Sequence, residues 1–201
     1  MDKQNALRKL AEFAILCNLT NDIYRIMDTA CRTVAETIGT DLAKVLRKAG
    51  AEDHLYLVSI FGYEQNDFSD EPRKFKESSA AGYAVESGTD VVSENVEKEK
   101  RFSLSALEKK YDISSMANIL IPGKPGDEAW GVLEVDCSEP RKFTDDELAY
   151  LKSFAELLGT VIARIRLEHQ LQETLSYREG LLAEANDWLG RTNESIKKLI
   201  K

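Results

Sequence analysis

Apolar residues recur along this chain with two different periods, and the switches between them mark out the elements. Leu7, Leu10, Ala11, Ala14 and Ile15 lie at helical spacing within residues 2–16. Ile23, Ile26, Met27, Ala30, Val34 and Ile38 do the same within 21–38, and Gly39 is placed to close that helix in a left-handed conformation. The period then falls to two. Runs of β-formers cover 42–47 and 55–61, with 49–53 as a hairpin loop between them. Two more cover 116–121 and 130–137, joined by the turn cluster 122–127. In the last run, alternation puts Trp130, Val132, Glu134 and Asp136 on one face and Gly131, Leu133, Val135 and Cys137 on the other.

From residue 143 onward there is no proline and the helical period returns. Thr144 is the predicted N-cap, with Glu147 completing a capping box. Leu151, Ala155, Leu158, Ile162 and Ile165 step by four and three residues, the spacing of a coiled-coil seam. A second stripe, Leu171, Leu175, Arg178, Leu182, Ala185, Leu189, Thr192, Ile196 and Leu199, repeats those steps shifted by one residue. So long a helix exceeds what a domain of this size can bury, which predicts a homodimer through the terminal helices. Its expected contacts are Leu151, Leu158, Ile162, Ile165, Leu175, Leu182, Leu189 and Ile196. An amphipathic helix folded back on its own domain is the alternative.

Composition narrows the functional classes. A chain of 201 residues with 43% hydrophobic content can bury one core in its first ~150 residues. A net charge of −8, with no stripe of lysine or arginine, disfavours nucleic acid and anionic membranes as partners. The first residues lack the apolar centre of a signal peptide, and no run approaches the ~18 apolar residues of a membrane span, so the expected location is cytoplasmic. Cys17, Cys31 and Cys137 are odd in number and widely spaced, which fits reduced thiols and not a disulfide framework. His54 and His169 are too few for a histidine-rich metal site, and no metal is expected.

Two helices, a hairpin, an irregular middle, a second hairpin and a long helix describe an α+β domain with an antiparallel sheet. Several motifs then resemble the GAF domain family, the sensory module of many signalling proteins. Residues 81–88 (AGYAVESG), followed by Val91-Val92, Asn95-Val96 and Arg101-Phe102, are similar to the family's glycine-helix-glycine passage. Residues 111–116 (YDISSM) resemble its approach to the fifth strand, and 130–135 (WGVLEV) with 140–148 (PRKFTDDEL) resemble its last strand and final helix. The resemblance implies a PAS-like, six-stranded antiparallel sheet, with terminal helices on one face and a ligand pocket on the other, covered by residues 62–112. It divides the chain into an N-terminal helix (1–18), a GAF domain (19–167) and a C-terminal signalling helix (168–201).

Family ligands can be tested against these residues. Bilin attachment needs a pocket cysteine, and residues 59–129 hold neither cysteine nor histidine. The family's cyclic-nucleotide pattern is not reproduced after Asn95 and Phe102, haem or iron lacks ligands, and a free methionine sulfoxide reductase needs cysteines that this middle segment lacks. The cofactor is therefore unknown and no enzyme is expected. Phe61, Tyr63, Tyr83, Phe102, Tyr111, Ser115, Asn118 and Glu134 remain as ligand-binding candidates suited to a modest organic molecule. Residues 177–184 resemble the stretch before the phosphoacceptor of HWE-type histidine kinases, but Asp187 stands where the histidine belongs. The expected role is a sensory module that reports to a separate output such as a histidine kinase. A structural dimerisation module without a ligand is the alternative.

Overall fold

The computed structural model describes residues 1–48, 54–64, 67, 79–124, 126 and 128–200. The loop predicted at 49–53, part of the cover predicted at 62–112 and part of the turn at 122–127 lie outside them. The chain divides into two units, Met1–Ile162 and Ala163–Lys201.

The first unit opens with two helices, α1 (Lys3–Leu19) and α2 (Ile23–Ile38). The carboxylates of Asp2 and Asp22 cap them by accepting from the amides of Gln4 and Arg25. Gly39 ends α2 at φ 68°, as its position predicts, because only glycine takes that conformation without a Cβ penalty. The strands β1 (Leu42–Lys48), β2 (Leu55–Phe61), β3 (Val91–Ser93), β4 (Ser115–Ile121) and β5 (Gly131–Cys137) follow. Two short helices, α3 (Ala80–Ser87) and α4 (Ala106–Lys110), lie between β2 and β4 in sequence.

All strand pairs are antiparallel, in the order β2-β1-β5-β4-β3. Among the described residues the sheet has five strands, one fewer than the expected six. The glycine-helix-glycine passage also differs from expectation, because Gly82 does not precede the helix. It lies inside α3, where its amide donates to the Ser79 cap, and Gly88 alone closes the helix, at φ 65°.

Each face of the sheet has its own cover. Leu42, Leu46, Met116 and Val132 pack with Ala80 and Ala81 of α3 and with Leu107 of α4. The residues between them, Ala43, Val45, Ala117, Ile119, Leu133 and Val135, are also buried and belong to the opposite face. That side holds α2, whose Cys31 thiol hydrogen-bonds Ser59 of β2 and is pushed up to about 12, chiefly by burial.

The final helix, α5 (Asp145–Leu199), begins at the predicted capping box. Glu147 N–H donates to Thr144 Oγ1, and Thr144 N–H donates to Glu147 Oε2 at 2.9 Å. Leu151, Ala155, Leu158 and Ile162 are buried inside the single chain, with Leu151 and Leu158 at 0% exposure. These four residues are domain core, which corrects the assignment of Leu151, Leu158 and Ile162 to a dimer seam, while Ile165 belongs to the second unit and is half-buried. Phe154 stacks on Phe13 of α1 with ring centroids 4.5 Å apart. The same contact explains why α1 buries Ala6, Phe13 and Cys17, while Leu7 and Ile15 of the predicted apolar face stay exposed. Gly159 allows close approach, since a Cβ there would meet Pro122 O at 2.9 Å.

The second unit contains the remainder of α5. Leu171, Leu175, Leu182, Leu189 and Ile196 are all exposed in the single chain.

Candidate functional site

Cross-strand register places Lys44 of β1 opposite Glu134 of β5, and Glu134 opposite Asn118 of β4. Directly opposed residues share a face, so the three side chains form one row on the side covered by α3 and α4. Asp136 lies two residues along β5 on the same face. Each of the four is fully buried.

Lys44 is the centre of a charge cluster. Its Nζ lies 2.8 Å from Glu134 Oε1, 2.8 Å from Asp136 Oδ2 and 3.4 Å from Glu108 Oε1. It also donates to the Tyr63 hydroxyl at 3.2 Å, and that hydroxyl donates to Asp136 Oδ2 at 2.6 Å. Glu108 is delivered by the capping box of α4, in which Ser105 Oγ accepts from Glu108 N–H and the Glu108 carboxylate accepts from Ser105 N–H. Tyr63 arrives through Gly62, whose φ of 82° turns the chain at the end of β2. Its ring meets Tyr111 edge-on at 4.9 Å. Tyr111 in turn accepts from Glu64 N–H and donates to Asp67, which also pairs with Lys110.

Protonation follows from this packing. Burial works to lower the Lys44 pKa, but the charges of Asp136, Glu134, Tyr63 and Glu108 outweigh it and hold the ammonium well above the usual lysine range. Glu134 is pushed well above the ordinary carboxylate value, first by burial and next by Asp136, against the pull of Lys44. Tyr63 is raised by burial and by Asp136.

Among the described residues, several polar atoms in this row lack a hydrogen-bond partner. They are Asn118 Nδ2 and Oδ1, both carboxyl oxygens of Glu134 and Asp136 Oδ1. Glu134 Oε1 touches Lys44 Nζ as an ion pair without hydrogen-bond alignment. Buried polar atoms are normally paired, so a run of unpaired ones on one sheet face marks a place for water or a ligand.

The expected ligand residues separate in space. Glu134, Asn118 and Tyr63 come together, with Tyr111 against Tyr63. Phe102 packs beside Met116 and Ile113 under α3, and Tyr83 lies on α3 with Arg101 over its ring at 5.9 Å. Ser115 belongs to the opposite face, where its hydroxyl donates to Glu139 O, because residues three apart on a strand point to opposite sides. Phe61 also faces the α2 side, with Arg32 of α2 5.2 Å above its ring. It lines an open groove of about 700 Å³ with Tyr24, Asp28 and Arg32, all of which face solvent. Lys44, Glu108 and Asp136 were not among the expected residues. Among the described residues there is no group of three or more histidine, cysteine, aspartate or glutamate side chains arranged to hold a metal ion.

One test follows directly from the protonation of Glu134. The folded chain keeps there a proton that the unfolded chain releases above about 4.5. The folded state therefore binds more protons, and stability falls as pH rises from 4.5 toward the raised pKa, by at most ~1.4 kcal/mol per pH unit. Glu134→Gln is expected to flatten this slope in urea unfolding measured from pH 5 to 8. An unchanged slope would refute the buried proton.

The comparisons agree with the architecture. A family model described as GAF domain matches residues 20–163. The GAF domain of a phosphoenolpyruvate-protein phosphotransferase from Acinetobacter is similar at a TM-score of 0.70 and 18% identity, covering 83% of this chain and 97% of that one. The corresponding domain from Coxiella burnetii reaches a TM-score of 0.73 at 16% identity, covering 85% and 99%. A free methionine-R-sulfoxide reductase from Neisseria meningitidis, in complex with its substrate, gives 0.67 at 16% identity, covering 81% and 91%. At these identities the likeness is one of fold. The comparison with curated proteins found no match. No helix of the described residues is long and apolar enough to cross a membrane.

Proposed function

This chain belongs to the GAF domain family, and on that premise we propose that it binds a small polar molecule at the Asn118–Glu134–Lys44 row and passes its occupancy through a dimeric C-terminal helix to a signalling output such as a histidine kinase. The observation that carries the reading is the set of unpaired buried polar atoms on Asn118, Glu134 and Asp136. Left unpaired, such buried groups cost about 1–3 kcal/mol each, a cost that a bound polar ligand offsets. The site lies on the sheet face away from α2, and α3 and α4 cover it.

Two exposed apolar stripes support the dimer. One is Leu7, Ala11 and Ile15 on α1, and the other runs from Leu171 to Ile196 on α5. Catalysis is not proposed. The neighbour from Neisseria meningitidis is a reductase, but here Cys17, Cys31 and Cys137 are all buried, and the Cys31 thiol is pushed away from the reactive thiolate.

A thermal-shift screen of the full chain against nucleotides, amino acids, amines and organic acids tests the proposal. A ligand at a hundred times its Kd adds about 2.7 kcal/mol of stability. The expected result is a concentration-dependent rise in Tm for one class, lost in Asn118→Leu. A Tm that none of the classes raises would favour the structural module.

A further inference from the structure

The row is short of positive charge. One ammonium, that of Lys44, faces three carboxyl groups, those of Glu108, Glu134 and Asp136. Even with Glu134 kept neutral by its burial, the carboxyl groups of Asp136 and Glu108 remain beside the single ammonium. Lys44 neutralises only one of these. A net charge left in a fully buried site is costly unless a counter-charge joins it.

The unpaired atoms specify more. The oxygens of Glu134 and Asp136 can accept, and Asn118 offers one amide donor group and one acceptor with no partner for either. Among the described residues the ammonium of this row, Lys44 Nζ, already meets Glu134, Asp136, Glu108 and the Tyr63 hydroxyl, which leaves the neutral Asn118 amide as the free donor. Resting on the sensory reading above, we infer that the ligand is a small cation, with a primary ammonium or amidinium against Glu134 and Asp136 and an adjacent carboxamide or similar donor–acceptor edge on Asn118. Asn118 and Glu134 stand opposite each other across β4 and β5, so cation and amide must be neighbours in the ligand. The same excess of carboxyl groups opposes phosphates and simple carboxylic acids.

Three probes of similar size separate the possibilities in the full chain: glycinamide, a cation with an amide; glycolamide, its neutral counterpart; and oxamate, an anionic amide. Binding is read from the Asn118 side-chain amide resonances by NMR titration. Glycinamide is expected to bind at least tenfold more tightly than glycolamide, with no shift from oxamate. The variant Glu108→Gln removes one negative charge and keeps a residue that can complete the α4 capping box. It is expected to reduce the preference for glycinamide to less than threefold, and Asp136→Asn provides the same test should that variant not fold. Equal binding of glycinamide and glycolamide, or a preference for oxamate, overturns the cation assignment and leaves a ligand site at this row. No shift at Asn118 from any of the three overturns the inference, while the sensory reading is decided separately by the thermal-shift screen.

Discussion

Lys44→Met is expected to lower the stability of the folded chain by about 3–5 kcal/mol, the usual cost of removing one partner from a buried ion pair. The methionine fills a similar volume, so the loss is electrostatic and not a cavity effect. Glu108, Glu134 and Asp136 would face one another with no ammonium among them, and Tyr63 would lose a hydrogen bond. Urea unfolding at neutral pH checks this, with a midpoint shift at unchanged slope as the expected signature. Adding Asp136→Asn to Lys44→Met should restore part of the loss, because it removes one of the stranded charges. A loss below about 1 kcal/mol would contradict the central place given to Lys44, since that is the range of an exposed pair.

Leu182→Asp combined with Leu189→Asp should weaken the proposed dimer by roughly a thousandfold or more, while the first unit melts unchanged. Each leucine contributes about 1.5–3 kcal/mol when buried, and a charge in its place adds a desolvation penalty. Both are exposed in the single chain, at 64% and 51%, so the single chain loses nothing. Leu158→Asp provides the contrast. That side chain is at 0% exposure within the first unit, and the substitution should unfold it. Light scattering across a dilution series, read beside the melting curves, distinguishes the two. An unchanged mass for the Leu182 and Leu189 variant would refute the distal seam.

The contrast between the two stripes shows where sequence reading reaches its limit. Steps of four and three residues serve a core-facing helix as well as a coiled-coil seam, so Leu151 to Ile162 could not be told from Leu175 to Ile196 by period alone. Only the burial of the first set within one chain separates them. Local signals were more decisive. The capping box at Thr144 and Glu147, the left-handed Gly39 and the alternation of β5 each depend on a few neighbouring residues, and each is present as expected.

Half of the candidate row was legible for the same reason. Glu134 and Asn118 were named from their strands, but the partner that joins them was missed. Lys44 sits in the run LAKVLRK, where a lysine among apolar residues reads as an outward-facing residue. Its spacing carried the missing signal, since Lys44 shares a face with Leu42 and Leu46, both buried. Glu108 was signalled by the spacing Ser105-Ala-Leu-Glu108, a second capping box. Ser115 was misplaced by ignoring the parity that separates it from Asn118. Phe61 and Tyr63 have the same parity, and the turn at Gly62 sends them to different sides.

The most direct test of ligand sensing at this row is a native mass spectrum of the chain as purified, beside that of Asn118→Leu. The account predicts a dimer carrying extra mass in the first, and a dimer of the polypeptide mass alone in the second. A bare polypeptide mass for the unmodified chain, or the same extra mass in both proteins, would contradict it.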